Sequence, residues 1–146
     1  MISIKQINEK DIDLCYELDS NTISLWSKNQ WAKEFNKEDT KIFGLMLKNL
    51  IIGICVFQVV LDEAQINYFV VNKNFRKRGF GTYLMGHVIR QCEKLKINRL
   101  LLEVSHRNFI AEKFYSRFDF STVGTRRQYY KDGSDALLKE KKLIKK

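Results

Sequence analysis

Residues 76–82 read Arg-Lys-Arg-Gly-Phe-Gly-Thr, between an apolar run from Tyr68 to Val71 and a stretch that turns helical at Phe80. The order strand, basic glycine turn, helix constrains both the fold and the ligand. The first turn of a helix carries backbone N–H groups without intrahelical acceptors, at the positive end of the helix dipole, and so attracts phosphate. Gly79 and Gly81 let a backbone come close to an anion, and Arg76, Lys77 and Arg78 surround it with charge. Alone, the same turn is also consistent with a plain capped helix start.

The rest of the chain reads as one domain, residues 1–146, of a common domain size. Met1 to Ile7 alternates as a strand. Asp11 to Asp19 and Ile23 to Asn36 carry apolar residues at helical spacing. Lys41 to Lys48, Ile51 to Leu61 and Gln65 to Val71 read as a meander of strands. From Phe80 the period changes: Phe80, Leu84, Val88, Cys92 and Leu95 make one buried helical face, with Met85 and Ile89 beside it. Arg99 to Val104 is a buried strand, Asn108 to Phe118 a helix. Ser121 to Tyr129 and Ala136 to Leu143 form a final hairpin. The order β-α-α-β-β-β-α-β-α-β-β requires a mixed sheet, with a right-handed crossover into Arg99–Val104. The class is α+β, with about seven strands and four helices.

Composition excludes several function classes. Three cysteines, Cys15, Cys55 and Cys92, are far apart and lie in apolar patterns. They read as core thiols in a reducing cytoplasm, not as a disulfide framework or a metal site, and no other spacing suggests a metal. The N-terminus resembles no secretory or transit peptide, and no apolar window is long enough for a membrane span. The net charge of +9 allows a nucleic-acid partner, but much of the excess sits in Lys139 to Lys146 and suits a solvated surface. Nucleic acid is not the expected direct ligand.

Three kinds of glycine turn compete for the phosphate. A Walker loop needs Lys before the Thr, and Gly81 precedes Thr82 directly. A dinucleotide fold needs a third glycine where Leu84 stands, and a turn near the start of a longer doubly wound sheet. The third is coenzyme A. Arg76 to Gly81 resembles the Q/R-x-x-G-x-G/A pyrophosphate signature of the GNAT acetyltransferase superfamily. Leu102, Glu103, Val104, Asn108, Ala111, Phe114, Tyr115 and Phe120 are similar to the second half of its core, with Asp119 in place of the usual Gly. Arg126 to Leu138 and the Trp26–Ser27 region further resemble the bacterial ribosomal-protein-alanine N-acetyltransferases, with Leu25 where that family has Pro.

The resemblance implies transfer of acetyl from acetyl-CoA to a protein α-amine, with direct transfer and no metal. It implies that Phe69, Val70 and Val71 run beside the pantetheine. Lys77, Arg78, Gly79, Phe80, Gly81 and Thr82 would wrap the diphosphate together with Arg76. Asn108 would hold the thiol end. Glu103 matches the general base and Tyr115 the general acid; Trp26, Tyr129 and Tyr130 would meet the substrate. His87 has no evident partner and His106 no assigned role.

The chemistry suits an N-terminal acceptor. An ammonium cannot attack a thioester. An α-amine with a pKa of about 8 is neutral at pH 7 well over about a hundred times more often than a Lys near 10.4. Full proton transfer from a Tyr of pKa about 10 to a thiolate of about 8.5 is uphill by about 2 kcal/mol, so Tyr115 would serve chiefly as a hydrogen-bond donor. Holding amine and thioester together, with a backbone N–H near Val71 on the carbonyl, would supply most of the acceleration. Two alternatives stay open: acetylation of a small amine or internal Lys, and a basic RNA- or ribosome-binding module using Arg126, Arg127, Tyr129 and Tyr130.

Overall fold

The computed structural model describes residues 1–76 and 78–143. The elements are β1 (Ile2–Gln6), α1 (Ile12–Ser20), α2 (Lys28–Phe35), β2 (Thr40–Leu47), β3 (Leu50–Val60), β4 (Glu63–Val71), α3 (Phe80–Lys94), β5 (Arg99–Ser105), α4 (Phe109–Ser116), β6 (Ser121–Arg126) and β7 (Ala136–Lys142). The strands hydrogen-bond in the order β1-β2-β3-β4-β5-β7-β6. β4 and β5 are parallel across the α3 crossover, whereas β1–β2, β2–β3, β5–β7 and β6–β7 are antiparallel. The mixed α+β sheet expected from the element order is present. No helix among the described residues is long and apolar enough to cross a membrane.

The chain divides into two compact units, Met1–Val59 with Asn67–Gln91, and Val60–Ile66 with Cys92 onward. In the first, β2 and β3 are buried on both faces, which explains why their sequences are nearly continuous apolar runs. Ile42 and Met46 join Cys15, Leu18 and Trp31 in one cluster, while Phe43 meets His87 of α3 edge-on, with centroids 5.0 Å apart. His87 therefore has an aromatic partner that helical spacing alone did not reveal. Leu84, Met85, Val88 and Cys92 are fully buried, as expected. All three cysteines are free and buried, and burial pushes the thiols of Cys15 and Cys92 up to about 12, so they are inert packing groups at neutral pH.

Three boundaries differ from expectation. Leu95 is 45% exposed because α3 stops at Lys94. Lys96 turns left-handed and Ile97 folds back to take the buried place, its N–H donating to Cys92 O. The second helix begins at Lys28, not Ile23, since the amides of Leu25 and Trp26 are spent on a side chain (below) and Ser27 caps the helix through Gln30 N. β6 ends at Arg126 because Gln128 is left-handed and donates to Asp135.

Candidate active site

β4 leads into the basic turn. The Val71 carbonyl accepts a hydrogen bond from Arg76 Nε at 3.1 Å, so this arginine also staples the turn to the strand. Asn72 donates its N–H to Ile52 O and accepts from Asn74 N through its side chain. The Arg78 guanidinium lies 5.5 Å above the Phe75 ring, and Phe75 meets Phe80. Gly79 is left-handed, with φ +79°, and among the described residues nothing lies within 4 Å of where a Cβ would stand. The backbone is thus both twisted as only glycine readily permits and open to a ligand. Tyr83 N donates to Gly79 O, so the N–H groups of Phe80, Gly81 and Thr82 precede the first helical bond of the fifteen-residue α3. Phe69 is half-exposed; Val70 and Val71 are buried, so their backbones rather than their side chains are what a ligand could meet. Lys77 lies outside the described residues.

In the same unit Trp26 is built on a buried acid. Asp19 is fully buried. Its carboxylate accepts from Leu25 N and Tyr68 Oη at 2.9 Å, and from Trp26 N at 2.9 Å and Trp31 Nε1 at 3.1 Å. Four donors converge on one anion, which is how a charge survives burial. Trp26 then packs on Trp31 and Tyr68, with centroids 4.8 and 5.1 Å away. Sequence reasoning missed Asp19. Its signal was an acid on the same helical stripe as Ile12 and Cys15, where a core residue belongs.

The other unit holds the acid–base candidates. Glu103 sits near the end of β5, opposite Leu138 of β7, with its side chain 20% exposed. Arg126 Nε stands 3.8 Å from Glu103 Oε1 and its guanidinium lies 5.5 Å over the Tyr129 ring. Tyr129 and Tyr130 meet edge-on, and burial, assisted by the Glu103 charge, pushes the Tyr130 phenol above its ordinary value. Asn108 caps α4, its side-chain oxygen accepting from Ala111 N at 3.1 Å. Tyr115, on the same helix, contacts Phe114 and Phe120 edge-on. Asp119 holds the left-handed position after α4, with φ 65°, where the family pattern has Gly, and Phe120 N returns to Tyr115 O. The buried Lys139 bonds Glu112 and Thr122 and so ties α4 to β6.

The family model of the acetyltransferase (GNAT) family matches residues 7–120. The chain belongs to the GNAT acetyltransferase family. Enzymes of this family draw their acetyl group from acetyl-CoA. The ribosomal protein bS18-alanine N-acetyltransferase of Haemophilus ducreyi is 32% identical to this GNAT chain over 139 residues, covering 90% of it and 92% of the relative. The crystal structure of the ribosomal-protein-S18-alanine N-acetyltransferase from Escherichia coli matches with a TM-score of 0.93 at 27% identity, covering 100% of this chain and 96% of that one. Arabidopsis thaliana NAA60, solved in complex with acetyl-CoA, shares the fold at 17% identity and a TM-score of 0.89, covering 98% and 99% of the two chains.

Proposed function

We propose that this enzyme transfers the acetyl group of acetyl-CoA to the α-amine of a protein N-terminus in the cytoplasm, the acceptor being a ribosomal protein that begins with Ala. The observation that carries this is the match to ribosomal-protein-alanine N-acetyltransferases over nearly the full length of both chains.

The residues present suit acetyl-CoA. The left-handed Gly79 and the amides of Phe80, Gly81 and Thr82, which precede the first helical bond of α3, fit a diphosphate, with Arg76 and Arg78 adding charge. The backbone of Phe69, Val70 and Val71 would flank the pantetheine, and the Asn108 side chain, already committed through its oxygen to α4, would offer its NH2 to the thiol end. Glu103 would take the proton from the acceptor ammonium, directly or through water. The neutral amine would then attack the thioester carbon, the C–S bond would break, the proton shed by the adduct's nitrogen would pass to the departing thiolate, and Tyr115 would stabilise that sulfur by hydrogen bonding. Trp26, Tyr129 and Tyr130 would contact the acceptor.

Two peptides test the proposal. One begins with Ala and lacks Lys; the other is blocked at its α-amine and carries Lys. Acetylation of the first alone is expected. Equal acetylation of the second would overturn the N-terminal assignment in favour of an internal-Lys enzyme.

A further inference from the structure

The segment between β6 and β7, residues 127–135, carries Tyr129 and Tyr130. Besides the bonds within its own hairpin, among them Tyr130 N to Ser134 O and Gly133 N to Tyr130 O, it is tied to Ser105, His106 and Arg107 just beyond Glu103. The N–H of Asp135 donates to His106 Nδ1 at 2.9 Å, and His106 N donates back to Asp135 O at 3.0 Å. Ser105 Oγ donates to the fully buried Ser134 Oγ at 2.9 Å, and Arg107 Nη1 donates to Asp132 O at 3.2 Å. The Asp135 side chain in turn accepts from Gln128 N, closing the loop behind the two tyrosines.

We infer that His106 is a positioning residue for the acceptor: its imidazole fixes the 127–135 loop against the end of β5, and so sets Tyr129 and Tyr130 beside Glu103 before substrate arrives. The inference rests on the proposal that these tyrosines contact the acceptor. A backbone N–H donating to Nδ1 requires a lone pair there. The ring is thus an acceptor for one particular amide, which neither a general base nor a core aromatic needs to be. Preorganising the loop matters because Tyr129 is 52% exposed and would otherwise lose its freedom only on binding, at a cost in affinity.

The test compares His106→Ala with His106→Asn, whose side-chain oxygen can fall where Nδ1 stands and accept from the same amide. His106→Ala should raise KM for the Ala peptide about tenfold, the cost of ordering one or two side chains. It should leave kcat within about twofold and KM for acetyl-CoA unchanged; His106→Asn should restore the peptide KM. Amide exchange should quicken at Gln128 and Asp135 in His106→Ala alone. A peptide KM unchanged in His106→Ala, or an equal loss in His106→Asn, overturns the inference. If His106→Ala fails to fold, Ser134→Ala, which removes the neighbouring tie, takes its place: a raised peptide KM supports the inference and an unchanged one overturns it. Tyr129→Ala combined with Tyr130→Ala separates the two claims. If that variant leaves peptide KM unaltered, the acceptor assignment itself fails; if it raises KM and His106→Ala does not, only the role of His106 fails.

Discussion

Tyr68 donates to Asp19 from within the core, and burial, followed by the charge of that carboxylate, raises its phenol well above the ordinary tyrosine value. A group whose folded pKa is raised adds stability that is whole below its unfolded pKa, here about 10, and is lost as pH climbs beyond it, because the unfolded chain ionises first. Denaturant unfolding of wild type and Tyr68→Phe at pH 8 and pH 10.5 should therefore converge: the variant is weaker at pH 8 by about 1.5–3 kcal/mol, the net worth of a buried hydrogen bond to a charged group, and the gap narrows at pH 10.5. A constant gap would show that the phenol is not held neutral by Asp19. Glu103 belongs to the same scale. Replaced by Gln, it keeps its shape but cannot accept a proton, so kcat should fall about a hundredfold or more and the activity optimum should move upward, toward the pH at which the free amine deprotonates unaided. Acetyl-CoA affinity by calorimetry should not change. Glu103 and Tyr115 became candidates through the family resemblance of Leu102 to Phe120, in which they share one motif with Asn108. Asp19, His106 and Ser134 were not legible, since each meets a group distant in sequence (the Tyr68 phenol, the Asp135 amide and the Ser105 hydroxyl), and no local period records such a partner.

At the scale of elements, periodicity located the seven strands and four α-helices of the described residues, and the errors fell at their ends. The tract from Ile23 onward has helical spacing, yet Asp19 captures two of its amides and delays α2 until Ser27 can cap it. Leu95 continues the α3 stripe in sequence, but the left-handed turn at Lys96 hands its place to Ile97. Asp119 shows the reverse: a departure from the family glycine that leaves the left-handed exit of α4 intact. Helix α4 also lets two roles of one residue be separated. Asn108 accepts from Ala111 N as a cap, so Asn108→Ala should cost about 1 kcal/mol of stability whatever else it does. Asn108→Asp keeps the acceptor and adds a charge favoured at a helix N-terminus. It should hold its melting temperature while raising KM for acetyl-CoA, because the NH2 donor is replaced by an acceptor-only carboxylate. An unchanged KM in Asn108→Asp would confine Asn108 to capping.

For the whole molecule, the open question in the sequence was whether a charge of +9 marks a nucleic-acid partner or a solvated surface that serves an anionic cosubstrate. The fold and family are shared by both, so the answer lies in linkage rather than in architecture. A ligand that binds only the folded chain stabilises it by RT ln(1 + [L]/Kd), about 2.7 kcal/mol at a hundred times Kd. For a chain of this length each kcal/mol moves the melting temperature by roughly 2–4 °C, so saturating acetyl-CoA should raise it by about 5–10 °C. Desulfo-coenzyme A, which keeps the diphosphate, should retain most of that shift if the α3 amides and the Gly79 turn do the holding. Pantetheine, which lacks it, should not. A short single-stranded RNA at the same nucleotide-phosphate concentration should give a small shift that disappears as salt is raised from 50 to 200 mM, since screened surface charge is all that holds it. An RNA shift that exceeds that of acetyl-CoA and persists at 200 mM would make the basic surface a nucleic-acid site and deny the glycine turn its diphosphate.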